Sequence, residues 1–164
     1  MPSKLDIVFG PAAENRLHEA TEPGFGGALA ALESFYFAFN HRDLAAFGRV
    51  WTDDPLAQLN NPLGGILRGG QAITELYDKV FHGHAKVTVT FSDVVAYHDE
   101  HHAIFAGRET GEYTVDGGAP VPLAIRTSRY FRYENGRWAQ FHHHGSIDDA
   151  AALAAYQDAV SSPA

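Results

Sequence analysis

The sequence predicts one α+β domain in which helices cover one face of a long antiparallel sheet. Apolar side chains recur at helical spacing in the first half of the chain, and from about residue 86 onwards they alternate as in a half-buried strand. Only short turns separate the four later strand-like runs, which favours antiparallel neighbours. A curved sheet over helices leaves a cavity, so we expect the domain to enclose a pocket.

Three helices are predicted before the sheet. The first covers residues 28–39, where the apolar residues lie on one stripe. Asp43 is the predicted N-cap of a second, short helix that ends before Pro55, because proline disfavours the α conformation in the residue before it. The third helix ends before Gly83. It carries apolar side chains at positions i, i+3, i+4, i+7 and i+8, namely Ile73, Leu76, Tyr77, Val80 and Phe81.

Strands are predicted at residues 57–60, 86–92, 103–113, 121–133 and 138–146. Asn135 and Gly136 separate the last two runs and favour a type I′ hairpin turn, which needs positive φ at both central residues. Ser146 and Asp149 resemble a capping box before an alanine-rich tail helix. We therefore divide the chain into an N-terminal arm (1–27), a central domain (28–147) and a C-terminal helical tail (148–164).

Composition excludes several classes of function. The 164 residues include 20 acidic and 12 basic side chains, a formal net charge of −8 that disfavours nucleic acids and anionic membrane surfaces as partners. Cysteine is absent, which excludes disulfides, thiol nucleophiles and thiolate metal sites. No apolar run is long enough to span a bilayer, and the N-terminus lacks the apolar core of a secretory signal. We expect a cytoplasmic protein.

The run from residue 127 to residue 146, TSRYFRYENGRWAQFHHHGS, combines a strand, a tight turn, a tryptophan and an H-x-H-x-S ending. It resembles the closing segment of SnoaL-like, or nuclear transport factor 2-like, domains, and most of all the association domain of calcium/calmodulin-dependent protein kinase II. The order of elements from residue 28 to residue 147 resembles the same family. The resemblance implies a cone-shaped sheet and a homodimer. Its activities range from isomerases, dehydratases and hydrolases to purely oligomerising modules.

The steroid-isomerase branch of this superfamily supplies a test of one activity. Its motifs, a helix-1 tyrosine, an aspartate base before a proline and a second aspartate, fall here on Phe35, Asn61 and Arg129. Phenylalanine has no hydroxyl, and an amide does not take up a proton at neutral pH. The resemblance therefore does not imply that isomerase mechanism. Asn61 remains a candidate to line the pocket, with a turn before Pro62 as the alternative.

Two arginines resemble the cavity arginines of the kinase association domain, and they fall on Arg108 and Arg129. Counting outward from the Asn135–Gly136 turn pairs Arg129 with His142 and places His144 on the same face. Guanidinium groups beside imidazoles favour a small anionic or carbonyl-bearing ligand. A family arginine before the last serine is Gly145 here, which weakens an anion site. The alternative is that Arg108 and Arg129 form structural ion pairs with Glu109, Glu112 or a helix carboxylate.

The sequence thus predicts a ligand pocket with no cofactor and no metal. An H-x-H pair alone supplies two ligands, and a zinc site needs more. His142, His144 and Asn61 are the candidate catalytic residues for cofactor-free acid/base chemistry such as isomerisation, dehydration or hydrolysis. The candidate ligand-binding residues are Arg108, Arg129, Trp51, Tyr36 and Trp138. The competing hypothesis is a non-catalytic binding or homodimerisation module, for which the alternating strand at residues 87–91 offers an apolar face.

Overall fold

A computed structural model describes residues 1–161 and has the predicted α+β architecture, a curved sheet packed against helices. The helices are α1 (Phe25–His41), α2 (Leu44–Val50), α3 (Gly70–His82) and α4 (Ala150–Ser161), with a 3₁₀ turn at Glu19–Thr21. The strands are β1 (Ser3–Leu5), β2 (Gln58–Asn60), β3 (Leu67–Arg68), β4 (Ala85–His98), β5 (His102–Val115), β6 (Val121–Glu134) and β7 (Arg137–Ser146). None of the helices in residues 1–161 is long and apolar enough to cross a membrane.

The three predicted helices are confirmed, and their ends follow local chemistry. Helix α1 ends where Arg42 adopts a left-handed conformation with φ of 53°. Asp43 caps α2 as predicted, since its side chain accepts a hydrogen bond from the amide of Ala46 at 2.9 Å. Helix α1 begins three residues earlier than the apolar stripe, at Phe25, directly after Gly24 with φ of 88°.

The sheet has the strand order β1-β4-β5-β6-β7-β2-β3. Neighbouring strands are antiparallel except β2, which runs parallel to β7. Asn135 and Gly136 both have positive φ, 54° and 77°, so the predicted type I′ turn joins β6 to β7. Helices α1 to α3 pack on the concave face, which gives the cone-shaped fold that the sequence predicts.

Strand β4 is twice as long as the alternation of residues 86–92 suggests. Its pairing with β5 shifts between Ser92 and Val95, and Asp93 lies in the left-handed region with φ of 54°. This bulge interrupts the period-two pattern although the strand continues to His98. Val87, Val89 and Phe91 are buried against the helices of the same chain, so the prediction that this run supplies an apolar dimer face is wrong.

A second bulge changes the register of β7. Tyr133 pairs with Trp138 and Phe131 with Gln140, as counted from the turn, but the register then shifts and Tyr130 faces His142. Phe141 is the extra residue. Arg129 therefore lies opposite His143, and the prediction that it faces His142 is wrong. Because side chains alternate along a strand, the shift also sends His142 and His144 to the convex face.

The N-terminal arm packs on the domain itself. Residues Ser3–Leu5 add strand β1 to the edge of β4, and Phe9 exchanges backbone hydrogen bonds with Phe91 at 3.0 and 2.7 Å. Arg16 bonds Glu33 of α1 at 3.0 Å, which fixes the arm against that helix. The arm thus extends the sheet rather than hanging free of it.

The C-terminal tail forms α4, which closes the open end of the cone. Its cap is Asp149, whose side chain accepts from the amide of Ala152 at 2.7 Å, and not the predicted Ser146. Tyr156 is 6% exposed and packs on Tyr113 of β5, with ring centroids 5.2 Å apart. The last part of the predicted tail, residues 162–164, lies outside the described residues.

Candidate functional site

Four polar side chains form a hydrogen-bonded network in the interior of the cone. Arg129 donates from Nη2 to Glu109 Oε1 at 2.7 Å, from Nε to the Tyr36 hydroxyl at 2.9 Å, and from Nη1 to Gln140 Oε1 at 3.2 Å. Tyr36 donates its hydroxyl proton to the same oxygen of Glu109 at 2.7 Å. All four side chains are buried. The charge of Arg129 is therefore compensated within the protein.

Aromatic rings complete the surroundings of this network. The guanidinium carbon of Arg129 lies 3.6 Å from the ring centroid of Phe35, a cation–π contact. Burial raises the pKa of Tyr36 well above its ordinary value, so its hydroxyl keeps its proton and remains a donor at neutral pH. The network thus has a fixed pattern of charges and donors around neutrality.

His143 lies opposite Arg129 on β7 and is 2% exposed. Neither ring nitrogen has a hydrogen-bond partner within residues 1–161. Burial first, and then the positive charge of Arg129, lower the pKa of His143 well below its usual value. The ring is neutral at physiological pH and offers one donor and one acceptor. Buried polar groups in folded proteins rarely lack partners, so these two nitrogens need an explanation.

A small cavity lies directly beside this ring. Its volume is about 30 Å³, which is room for two or so water molecules. Helix α1, strand β4 and strand β6 give it apolar walls. Its polar lining comes from Asn61, Tyr77, Glu109, Arg129, His143 and Tyr156. Burial raises the pKa of Tyr77 to about 12, so this phenol stays protonated too.

The two predicted cavity arginines do not converge. Arg108 points to the convex face, where its side chain is 68% exposed and bonds Asp93 at 3.2 Å. Arg129 lies inside, bound to Glu109. Both arginines thus have carboxylate partners, and the ion-pair alternative is confirmed for Arg129 and Glu109. The prediction of an arginine pair on one sheet face is wrong. Arg129 pairs with Phe105 in the register of β5 and β6, and Phe105 is an odd number of residues from Arg108, so the two arginine side chains point to opposite faces of the sheet.

The other predicted residues are spread between the cavity, the core and the surface. Asn61 fills both predicted roles, since it lines the cavity and also accepts from the amide of Leu63 at 3.1 Å in the turn. His142 is half-buried and its Nδ1 lies 2.8 Å from the carbonyl of Gln58, whereas His144 is exposed. Trp51 and Trp138 are buried in the core, away from the cavity lining.

Sequence reasoning missed two of the cavity residues, His143 and Tyr156. The unrecognised bulge at Phe141 put His143 on the wrong face. Tyr156 lies in the tail, whose docking site has no signal in the sequence. Tyr77 lies on the apolar stripe of α3, which allowed either a core position or a pocket wall, and it lines the cavity. Within residues 1–161, no three His, Asp or Glu side chains stand together as a metal site.

Comparisons with known proteins identify a family and solved structures that are similar to this chain. Residues 28–150 match the model of a family described as SnoaL-like domain. A structure from Thiobacillus denitrificans, provisionally named a calcium/calmodulin-dependent protein kinase type II association domain, is 27% identical, with a TM-score of 0.58 over 74% of this chain and 94% of that one. No curated protein matches this chain.

Two further structures share the fold at lower identity. One, from Streptomyces avermitilis and provisionally named a dehydratase of the NTF2-like family, is 18% identical, with a TM-score of 0.69 over 75% of this chain and 95% of that one. A ketosteroid isomerase-like protein from Erwinia carotovora atroseptica is 22% identical, with a TM-score of 0.62 over 74% and 93%. Because the family model covers most of the chain, this protein belongs to the SnoaL-like domain family.

Proposed function

We propose that this protein binds a small uncharged molecule with a carbonyl or hydroxyl group in its cone, where His143 hydrogen-bonds it. The observation that carries the proposal is a buried ring that lines a cavity and whose two nitrogens have no partner in the described part of the chain. A neutral imidazole donates from one nitrogen and accepts at the other. A ligand with a carbonyl or hydroxyl group satisfies at least one of them.

The Arg129–Glu109 pair favours an uncharged ligand over an anion. Glu109 Oε1 already accepts from Arg129 and Tyr36, so an anion would have to displace a buried carboxylate. An anion that left this pair intact would lose its hydration without gaining a free cation in return. A carbonyl compound loses much less hydration on entering the cavity.

The chemistry of His143 favours recognition over proton transfer. Its lowered pKa keeps the ring neutral and makes it a weak base at physiological pH. The ring is therefore suited to orient a polar group rather than to abstract a proton. His142 and His144, the histidines that the sequence suggested for catalysis, lie on the convex face, where a ligand inside the cone does not reach them.

Matched ligands test the proposal. Acetamide and acetate have nearly the same shape and differ in charge. We expect acetamide to shift the ring ¹⁵N resonances of His143 in a dose-dependent manner, and acetate to leave them unchanged at equal ionic strength. His143→Leu should abolish acetamide binding, whereas His144→Gln on the convex face should not alter it. Tighter binding of acetate, or no response to acetamide, acetone or methanol, contradicts the proposal.

A second candidate function is two-fold association through the convex face of the sheet. No described element covers the convex face of β5 and β6, where exposed Ala124 and Ser128 offer small side chains to a second copy. Sedimentation equilibrium should give twice the chain mass of 17.9 kDa. Ala124→Glu should shift the protein toward the monomer, while Gln71→Glu at an exposed position of α3 should not. A monomeric wild-type protein at high concentration rules this candidate out.

A further inference from the structure

A groove on the outside of the cone leads toward the cavity. It measures about 280 Å³ and lies between the start of α4 and strands β5 and β6. Its outer rim carries Arg126 and Asp148, which form an ion pair at 2.8 Å. Strand β7 pairs with β6 only as far as Arg126, so residues 121–125 have no neighbouring strand on the groove side within the described chain.

The groove and the cavity share one wall. Glu109, Leu123 and Ile125 line both spaces, so a single layer of side chains separates solvent in the groove from His143. Leucine and isoleucine side chains change rotamer at little cost when the space beyond them is empty. The groove therefore offers a route to the cavity that requires only Leu123 and Ile125 to move.

Tyr156 closes the cavity on the side of α4. Its phenol lines the cavity and is buried against Tyr113, although the helix that carries it is mostly exposed. Tyr156 and Ala159 are the only buried residues in the described part of α4, and Gln157 adds one bond to the carbonyl of Leu63 at 3.0 Å. The ring of Tyr156 therefore fills most of the space at this end of the cone.

We infer that Tyr156 sets the upper size limit of the ligand and that the groove beside α4 is its route. This inference rests on the function proposed above. With the phenol in place, the space of about two water molecules admits ligands of two to four heavy atoms, the larger of them only when Leu123 and Ile125 change rotamer. Without it, the freed space approaches the size of an enclosed apolar cavity of roughly 150 Å³, which admits a six-membered ring.

The size limit is tested by ligands of two sizes on matched variants. We expect Tyr156→Ala to bind cyclohexanone at least about tenfold tighter than the wild-type protein does, with acetone changed less than about threefold. Tyr156→Phe keeps the ring and should behave like the wild type. Equal gains for both ketones, or none for cyclohexanone while acetone still binds, overturn the inference. Tyr156→Leu replaces the alanine variant if the latter does not fold.

Xenon separates this inference from the proposed function, because it needs no hydrogen bond. In Tyr156→Ala, xenon should shift the methyl resonances of Leu123 and Ile125 by a larger amount than in the wild type, because the enlarged cavity holds more xenon. That result supports the role of Tyr156 even if no carbonyl compound binds. Identical xenon responses in the two proteins contradict that role, whatever acetamide does.

The route is tested by blocking the groove. The chain has no cysteine, so Ala152→Cys at the groove wall takes a bulky maleimide at one position. We expect this label to slow acetone association at least about tenfold. The same label on Ala151→Cys, a neighbouring exposed position that does not line the groove, should leave association unchanged. Equal rates for both labelled proteins overturn the assignment of the route.

Discussion

Arg129 and Glu109 form a salt bridge of 2.7 Å in the interior of the cone, with side-chain exposures of 2% and 5%. Such a pair adds little net stability, because removing two charges from water costs about as much as their attraction returns. Losing one partner is different, since it leaves the other charge buried and alone. Replacing one residue of the pair should therefore destabilise the fold strongly, whereas replacing both together should destabilise it much less.

Arg129→Met should destabilise the fold by about 3–5 kcal/mol, because it leaves Glu109 uncompensated. The double variant Arg129→Met with Glu109→Leu should recover much of that loss, since no buried charge remains. Urea unfolding monitored by fluorescence of the buried tryptophans measures both. Arg108→Met, which breaks the exposed pair with Asp93, is the control and should cost less than about 1 kcal/mol. A double variant as unstable as Arg129→Met contradicts this account.

The buried ring of His143 should make stability depend on pH. Its pKa is lowered in the folded protein, so below the usual histidine pKa the unfolded chain binds a proton that the folded chain does not. Stability is therefore full above about pH 6.5 and falls as the pH drops. Between pH 7.5 and pH 5 this one group should lower the free energy of unfolding by up to about 2 kcal/mol, the limit set by the histidine pKa of the unfolded chain.

Urea unfolding at a series of pH values measures this loss in the wild type and two variants. His143→Gln removes the titrating group and should reduce the loss of unfolding free energy over that pH range by up to about 2 kcal/mol. His144→Gln removes an exposed neighbour and should keep the wild-type slope. Equal pH dependence in the wild type and His143→Gln would show that the ring titrates normally in the folded protein.

Local chemistry made much of the fold predictable. The turn at Asn135 and Gly136 and the cap at Asp43 depend on residues that stand next to each other in the chain, and both are confirmed. The α+β class follows from the change of period after the third helix. These features need no knowledge of which residues meet across the domain.

The site was harder to predict because it depends on one extra residue. The bulge at Phe141 has no signature in the sequence, yet it exchanges the inner and outer faces for every later residue of β7. It puts His143 inside and His142 outside. Which carboxylate would pair with Arg129 was equally open, since Glu109 was one of several candidates. The pairing depends on the register of β5 against β6, which no local motif specifies.

Gly26 and Gly27 are neighbours in the first turn of α1 and should respond oppositely to alanine. A Cβ at Gly27 would lie 2.1 Å from the carbonyl oxygen of Glu22 and 2.8 Å from Trp138, whereas one at Gly26 meets no atom within 4 Å. Gly27→Ala should therefore lower the free energy of unfolding by about 1–3 kcal/mol. Gly26→Ala should gain up to about 1 kcal/mol from helix propensity. Thermal unfolding compares them, and equal effects of the two substitutions refute the packing argument.

Asn40, near the end of α1, makes with its side chain the hydrogen bonds that a neighbouring strand would make at the edge of the sheet. Its amide nitrogen donates to the carbonyl of Val89 and its amide oxygen accepts from the amide of Val89, each at 2.9 Å. This part of β4 lies beyond the segment that β1 covers, so the side chain satisfies both edge groups. A carboxylate in its place keeps the acceptor and loses the donor.

Asn40→Asp should therefore destabilise the fold by about 1–3 kcal/mol, because it sets a negative charge against the carbonyl oxygen of Val89. Asn15→Asp is the matched control, since Asn15 acts in its hydrogen bond only as an acceptor from the amide of Leu17. That substitution should alter the free energy of unfolding by less than about 0.5 kcal/mol. Urea unfolding measures both, and amide exchange at Val89 should accelerate in Asn40→Asp alone. If exchange at Val89 is unchanged, the amide of Asn40 does not protect that edge of the sheet.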